Sequence, residues 1–203
     1  MKSRTSFALL FSFAFPVLAL SAELTGKVLV ADRSRGLAGA IVYVVSAVPE
    51  KIAPSRREVI KLMVRGGRLD PQVFVVQAGE SFTISNADAD NYNLHVQFRK
   101  NPERNLALVG NGQSSIKTER PELFARVSED LGRLHGYICV MEHPVYAVTD
   151  AAGAFKLPDL PAGSYTIESV HPREGRLRRE LKFATANMAV DFALPGGVKS
   201  LGR

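Results

Sequence analysis

The sequence GYICVMEHPVYAVTD, residues 136–150, decides the fold. Ile138 and Val140 alternate with their neighbours as residues of a β-strand do, and a second strand is predicted after Pro144. Proline cannot donate a hydrogen bond to a sheet, so Pro144 predicts a corner between the two strands.

The same stretch concentrates the residues that could carry chemistry. It holds the only cysteine, Cys139, together with His143, and His135 directly precedes it. A single cysteine cannot form an internal disulfide. We therefore expect Cys139 to be a buried filler, a metal ligand or an intermolecular partner.

Short β-rich runs continue on both sides of this stretch. They recur about every 8–12 residues with Gly and Pro turns between them, which is typical of β-sandwiches. The runs 24–31 and 39–48 are predicted to pair as a hairpin. The polar stretch 99–118, which contains Gly110 and Gly112, is predicted to be a long excursion without strands.

The composition argues against a nucleic-acid-binding protein. The chain has 203 residues, 46% hydrophobic and 23% charged, which is ordinary for a globular protein. Basic residues are interspersed with acidic ones and tryptophan is absent, so no aromatic-studded basic stripe indicates nucleic-acid binding.

The N-terminus predicts export. Lys2 and Arg4 form a short positive segment, and residues 7–20 form an apolar run that is too short for the roughly 20 residues of a membrane span. We expect a signal peptide over residues 1–22, a periplasmic or secreted mature protein, and no transmembrane segment after cleavage. Losing Lys2 and Arg4 lowers the formal charge from +6 to +4.

Two patterns resemble known families. Residues 24–45 and 147–170 resemble a transthyretin-like, carboxypeptidase regulatory-like domain, with T-D-x-x-G from Thr149 and P-x-G-x-Y from Pro161. Residues 70–88 resemble a cupredoxin, in which a proline precedes a strand and a later strand ends in N-x-D. Together they resemble exported bacterial cupredoxin-like proteins labelled methylamine utilization proteins.

The resemblance implies an all-β protein in which a cupredoxin-like Greek-key sandwich is inserted into a transthyretin-like sandwich. The implied cupredoxin-like domain spans residues 59–144. The implied transthyretin-like domain is discontinuous and spans residues 23–48 and 145–195. Neither half of the latter has enough strands to close a core alone, so we expect residues 24–45 to pair with residues 147–194.

The resemblance also implies where copper ligands would stand. Copper-binding members carry C-x-x-H-x-x-M directly before Gly-Tyr, and a further histidine after N-x-D. Counting without gaps from Gly136 places the cysteine, histidine and methionine positions at Ser128, Leu131 and Leu134, and the upstream histidine position at Tyr92. By this count all four ligands are absent, and a two-residue insertion would restore only the upstream histidine, as His95. We expect these residues to form a vestigial copper pocket, with the two leucines filling the space of the metal.

A rival copper site remains open from the residues alone. His95, Cys139 and His143 form a Cys plus two His set of the kind that binds copper. Residues four apart on a strand are separated by about 13 Å, whereas ligands of one metal lie within about 4 Å of each other. The set therefore requires residues 139–143 to form a loop, whereas the sequence predicts a strand with Cys139 buried.

The sequence thus favours an exported, non-catalytic binding or scaffold protein that has lost its copper site, with no cofactor expected and another envelope protein or a glycan as partner. The alternative is a periplasmic electron-transfer protein with copper as its cofactor, held by the rival set. A carbohydrate-binding module is a more distant alternative, suggested by fold analogy.

Overall fold

The structure, a computed structural model, describes residues 21–31, 35–45, 61–184 and 186–197. Within these residues the chain is all-β, with strands and no helix, as predicted. Residues 1–20 of the predicted signal peptide lie outside the described part, so that peptide stays a prediction. The first described strand begins at Ser21, so the predicted cleavage point near Ala22 falls inside a paired strand.

The described residues form 17 strands. In chain order they are β1 (Ser21–Val30), β2 (Ile41–Val44), β3 (Leu62–Arg65), β4 (Arg68–Asp70), β5 (Val73–Gln77), β6 (Ser81–Asn86), β7 (Tyr92–Gln97), β8 (Arg104–Leu108), β9 (Gln113–Lys117), β10 (Glu122–Glu129), β11 (His135–Met141), β12 (Tyr146–Val148), β13 (Ala154–Pro161), β14 (Gly163–His171), β15 (Gly175–Phe183), β16 (Met188–Ala189) and β17 (Phe192–Leu194).

These strands build two sandwiches. The first uses β3 to β11, in one sheet of order β4-β3-β6-β9 and another of order β5-β11-β10-β7-β8. The second joins the two ends of the described chain. In it β1 pairs with β13, β16 and β17, and the facing sheet has the order β12-β2-β14-β15.

The expected pairing of residues 24–45 with residues 147–194 is confirmed by these ladders. The exact domain boundaries and the transthyretin-like assignment stay predictions.

Strand alternation explains the core of the first sandwich. Phe82 and Ile84 on β6, and Leu94 and Val96 on β7, are buried, whereas the residues between them are more exposed. Side chains on one strand point alternately to opposite faces, so each of these strands lays one apolar face on the core. The core therefore lies between the two sheets of β3–β11.

The second sandwich has its own core. Leu24 and Val28 of β1, Ile167 of β14 and Phe192 of β17 are all fully buried there. Full burial of one such side chain stabilises the fold by about 1.5–3 kcal/mol. These residues are distant in sequence, so the core forms only when the two ends of the described chain meet.

A third apolar layer joins the sandwiches. Ile41 and Val170 of the second sandwich pack against Val73, Cys139 and Met141 of the first. The sheet of β2 and the sheet of β11 thus each bury both faces. The molecule is a stack of four sheets with apolar side chains in all three spaces between them.

The predicted proline corner carries the chain across this stack. Strand β11 ends at Met141 in the first sandwich and β12 begins at Tyr146 in the second. The corner is held by Val145, which is fully buried in the second core. The prediction of two strands separated at Pro144 is confirmed.

Two predictions about strands are wrong. Residues 99–118 contain β8 and β9. The prediction missed them because both are edge strands that bury few residues, such as Leu106, Leu108 and Ile116, and are otherwise polar. Strands β1 and β2 do not form a hairpin, because they lie in opposite sheets of the second sandwich. Their apolar faces meet across its core rather than side by side.

Candidate functional site

The end of the first sandwich where the resemblance places copper is organised by a tyrosine and an aspartate. The Tyr92 hydroxyl donates to Asp88 at 2.8 Å, and Asp88 also accepts the N–H groups of Gly66 and Gly67 at 2.8 and 2.9 Å. These donors, led by Gly67, hold the pKa of the Asp88 carboxyl below its usual value. The phenol therefore ties β7 to the turn between β3 and β4.

Glu129 is the residue that faces inward at the neighbouring end of β10. It pairs with Leu94, whose side chain lies in the first core. The Glu129 side chain is 4% exposed, and its Oε1 accepts from Arg133 at 2.9 Å, which lowers the pKa of the carboxyl. Within the described part of the chain, Glu129 Oε2 has no hydrogen-bond partner.

The structure brings together only part of the predicted vestigial pocket. Tyr92 and Leu134 are both buried in the first core. Leu131 is 71% exposed in the turn after β10, so the prediction that it fills the space of a metal is wrong. Ser128 pairs with His95 and His135, and alternation turns it away from the core that Glu129 faces. The ungapped count therefore selects the wrong face of β10.

The residues at this end do not fit a copper ion. Copper sites of the cupredoxin kind need a thiolate and two imidazoles with a weak axial ligand. Tyr92 offers a phenol already bonded to Asp88, Ser128 offers a hydroxyl on the opposite face, and the two leucines offer no donor atom. The inward position is taken by the ion pair of Glu129 with Arg133.

Cys139 of the rival set is buried, as predicted. Its exposed fraction is 0%, and its Sγ accepts a hydrogen bond from the Phe124 N–H at 3.2 Å. Burial raises the pKa of the thiol to about 12, so the thiolate that binds copper is strongly disfavoured.

The two histidines of the rival set are bound elsewhere. His143 Nε2 lies 2.8 Å from the Val44 carbonyl, and its Nδ1 lies 3.1 Å from the Val145 N–H. These contacts require a proton on Nε2 and a lone pair on Nδ1, so both ring nitrogens are occupied. His95 contacts Asp130 through Nε2 and Asn105 through Nδ1, and the hydrogen bond to Asp130 is the first cause of its raised pKa.

Sheet geometry keeps the rival set apart. His95 lies on β7, two strands away from β11. It pairs with Ser128 of β10, which pairs with His135 of β11, and His135 is four residues before Cys139. Two strand spacings and four residue rises separate the Cα atoms of His95 and Cys139 by about 16 Å. Among the described residues, no group of three or more His, Cys, Asp or Glu side chains is placed to hold a metal.

A different concavity lies where the two sandwiches meet, and we call it the junction cleft. Its volume is 520 Å³. The first sandwich supplies most of the wall and the second supplies the opposite side. The lining residues are Tyr43, Val44, Val45, Arg99, Lys100, Pro121, Glu122, Leu123, Phe124, Val140, Met141, Glu142, His143 and Arg176.

The wall from β10 is shaped by a bulge. The pairing of β10 with β11 shifts between Glu122 and Ala125, and Phe124 within this shift has a φ of 58°. A positive φ is unusual for a bulky residue, and such strain concentrates at ligand sites. The Phe124 ring packs edge-on against Tyr137 with centroids 5.8 Å apart, which holds the bulge in place.

A buried carboxylate fixes the rim of the cleft. Glu122 accepts the N–H groups of Arg99, Lys100 and Asn101, and also the Asn101 side-chain amide at 2.6 Å. This compensates the charge of Glu122 and clamps the chain after β7. The side chains of Arg99 and Lys100 are consequently presented at the mouth of the cleft.

The opposite rim is anchored by a second buried carboxylate. Glu168, with a 1% exposed side chain, accepts the Tyr43 hydroxyl at 2.8 Å and two bonds from Arg178 at 2.9 and 2.7 Å. Burial and Glu168 raise the pKa of Tyr43. Arg176 is more distant from Glu168, at 3.8 Å, and lines the cleft with 53% of its side chain exposed.

Sequence reasoning missed these polar groups. The inward position of Glu129 could have been predicted from the sequence, because Glu129 follows the apolar Val127 by two residues on one strand. The pairing of His95 with Asp130 and of Glu168 with Tyr43 was not, because each joins strands that are neighbours only in the folded sheets.

Known proteins that resemble this structure are cupredoxins. Amicyanin from Paracoccus versutus is 12% identical, with a TM-score of 0.36 over 49% of this chain and 97% of its own. A copper-containing nitrite reductase from Thermus scotoductus is 14% identical, with a TM-score of 0.38 over 48% of this chain and 26% of its own. A purple cupredoxin from Nitrosopumilus maritimus is 14% identical, with a TM-score of 0.32 over 38% and 86%.

No family model and no curated protein matches the sequence. Membership of the methylamine utilization family therefore stays a prediction. Among the residues that the structure describes, no helix has the length and apolar character needed to cross a membrane.

Proposed function

We propose that this chain is an exported, non-catalytic binding protein that works without copper and holds its ligand in the junction cleft. The observation that carries the proposal is the cleft itself, whose 520 Å³ volume lies within the range of about 300–1,000 Å³ for ligand sites. Eight of its 14 lining residues are apolar or aromatic and six are charged or histidine, so it combines an apolar wall with polar groups that can orient a ligand.

The donor groups of the chain support function without copper. Ser128 and Tyr92 stand where the resemblance implies copper ligands, and both offer oxygen rather than thiolate or imidazole. Cys139 is a buried thiol, and His143 is bonded to backbone atoms through both ring nitrogens. An electron-transfer role through His95, Cys139 and His143 would require β7, β11 and the corner after β11 to rearrange.

The N-terminal sequence supports export. Lys2 and Arg4 before an apolar run at residues 7–20 have the order of charge and hydrophobicity found in signal peptides. We propose the periplasm or the extracellular space as the location. Another envelope protein or a glycan is the proposed macromolecular partner of the outer surface.

The binding role is tested with a neutral apolar dye, N-phenyl-1-naphthylamine, whose fluorescence rises in an apolar site. We expect the dye to bind the full-length protein and Leu123→Trp to abolish binding, because the larger ring occupies the cleft that Leu123 lines. Leu131→Trp is the matched control, since Leu131 is exposed outside the cleft. Equal binding by wild type and Leu123→Trp contradicts the cleft as the site.

The absence of a copper role is tested by titrating the full-length protein with copper(II) and recording visible absorption. We expect no intense thiolate-to-copper band. A blue band that Cys139→Ala removes would replace the proposal with the electron-transfer alternative.

A further inference from the structure

The rim of the junction cleft carries an excess of positive charge. Arg99 and Lys100 stand on the first sandwich and Arg176 on the second, and all three line the cleft with exposed side chains. The one exposed carboxylate of the lining is Glu142. Cations therefore face the mouth of the cleft from both sandwiches.

The buried carboxylates nearby offset only part of this charge. Glu122 is bonded to four N–H groups of residues 99–101, and Glu168 is bonded to the Tyr43 hydroxyl and to Arg178. Arg178 pairs closely with Glu168 at 2.7 Å, and Arg176 forms a longer ion pair with the same carboxylate at 3.8 Å while 53% of its side chain stays exposed. Both ring nitrogens of His143 are engaged by backbone groups of Val44 and Val145.

The walls below the rim are apolar. Leu123, Phe124 and Met141 line them on the first sandwich, and Val45 lines them on the second with 38% of its surface exposed. An apolar wall below a cationic rim complements a molecule that has an apolar body and an acidic group. A neutral sugar would leave the apolar wall without a match, and a cation would be repelled at the mouth.

We propose that the junction cleft binds small organic acids with an apolar body, such as acyl or aryl carboxylates and sulfonates. The acid group lies between Lys100 and Arg176, and the apolar body packs on Leu123 and Phe124. The proposal rests on the binding function proposed above and adds the chemical class of the ligand. Because the two cations belong to different sandwiches, the bound acid bridges them.

The test compares two dyes that differ by one acid group. 8-Anilinonaphthalene-1-sulfonate is N-phenyl-1-naphthylamine with an added sulfonate, so the pair isolates the contribution of the charge. We expect the sulfonate to bind the full-length protein about ten-fold more tightly than the neutral dye, because two exposed cations each strengthen binding of the acid about three-fold. Decanoate should displace the sulfonate.

Variants then locate the charge. Lys100→Gln and Arg176→Gln are each expected to weaken sulfonate binding about three-fold, and the double variant about ten-fold, with a smaller change in neutral-dye binding. Lys182→Gln is the matched control, because Lys182 is an exposed cation on the same strand as Arg176 but outside the cleft lining. This control should bind both dyes as wild type does.

The outcomes separate the two proposals. Equal affinity for both dyes, or a double variant that binds the sulfonate as wild type does, overturns the acid preference and leaves the binding function standing. Failure of both dyes to bind, or binding of both that Leu123→Trp does not change, overturns the binding function of the cleft. Far-UV circular dichroism of each variant confirms that it has folded before affinities are compared.

Discussion

The two sandwiches reach similar architectures from opposite arrangements of the chain. The first is built from strands that follow one another, β3 to β11, and several of its ladders join near neighbours, such as β3 with β4 and β7 with β8. The second pairs β1 with β13, β16 and β17, across more than 120 residues. A β-sandwich core can therefore form either from consecutive strands or from strands that lie far apart in the sequence.

The sandwiches hold carboxylates at different depths. In the first sandwich, Asp88 and Asp130 lie near solvent and pair with neighbours, whereas Glu122 and Glu129 are buried. In the second sandwich, Glu168 is buried beside the apolar layer that joins the two. Burial makes that carboxylate depend on its partners, whereas the exposed pairs are weakened by water.

The largest expected effect tests whether the two sandwiches unfold together. Phe192→Ala removes a fully buried ring from the three-residue strand β17 and should lower the free energy of unfolding by about 3–5 kcal/mol. Leu94→Ala in the first core should lower it by about 2–5 kcal/mol. Because an apolar layer couples the sandwiches, we expect both variants to shift one common transition in urea.

Two separate transitions, each shifted by only one of the two variants, would contradict this coupling. Val109→Ala provides the control. Val109 is 58% exposed, and its truncation should change the free energy of unfolding by no more than about 0.5 kcal/mol.

The next effect concerns acid stability of the second sandwich. Burial lowers the pKa of His171 to about 4, with Glu174 opposing and Arg173 assisting. Between pH 6.5 and 4 the unfolded chain takes up a proton at this residue and the folded protein does not, so stability is lost as pH falls. His171→Gln should reduce this loss by on the order of 3 kcal/mol, measured by urea unfolding at a series of pH values.

A smaller effect is expected from the buried carboxylate. Glu168→Gln removes the charge that Arg178 and Tyr43 bind while keeping the shape of the side chain, and should cost about 1–3 kcal/mol. Glu119→Gln, in an exposed pair with Lys117, should change the unfolding free energy by no more than about 0.5 kcal/mol. Equal effects of the two substitutions would show that burial of Glu168 adds nothing to the unfolding free energy.

The smallest effect belongs to His95 in the first sandwich. Its pKa is raised by the hydrogen bond to Asp130 and then by that to Asn105, so its stabilising contribution is present below pH 6.5 and is lost as pH rises through the raised value. This sign is opposite to that of His171. NMR titration of the ring should show the raised pKa in wild type and a return toward the ordinary value in Asp130→Asn.

Several features could be predicted because they depend on neighbouring residues. The alternation around Ile138 and Val140 predicts strand β11 and the burial of Cys139, and Pro144 predicts the corner that follows. Alternation failed for residues 99–118, because edge strands such as β8 bury too few residues to reveal a pattern. It also could not tell a hairpin from two strands that face each other across a core, as β1 and β2 do.

By itself, the sequence determined that the protein is all-β and where most strands lie, because side-chain alternation and turn residues act over a few positions. The association of residues 24–45 with residues 147–194 was implied by the resemblance to a transthyretin-like domain. Only the tertiary structure decided which partners His95 and Glu168 take and that a cleft opens at the junction. These depend on register and on how the sheets stack, and a shift of one residue reverses the face of every side chain on a strand.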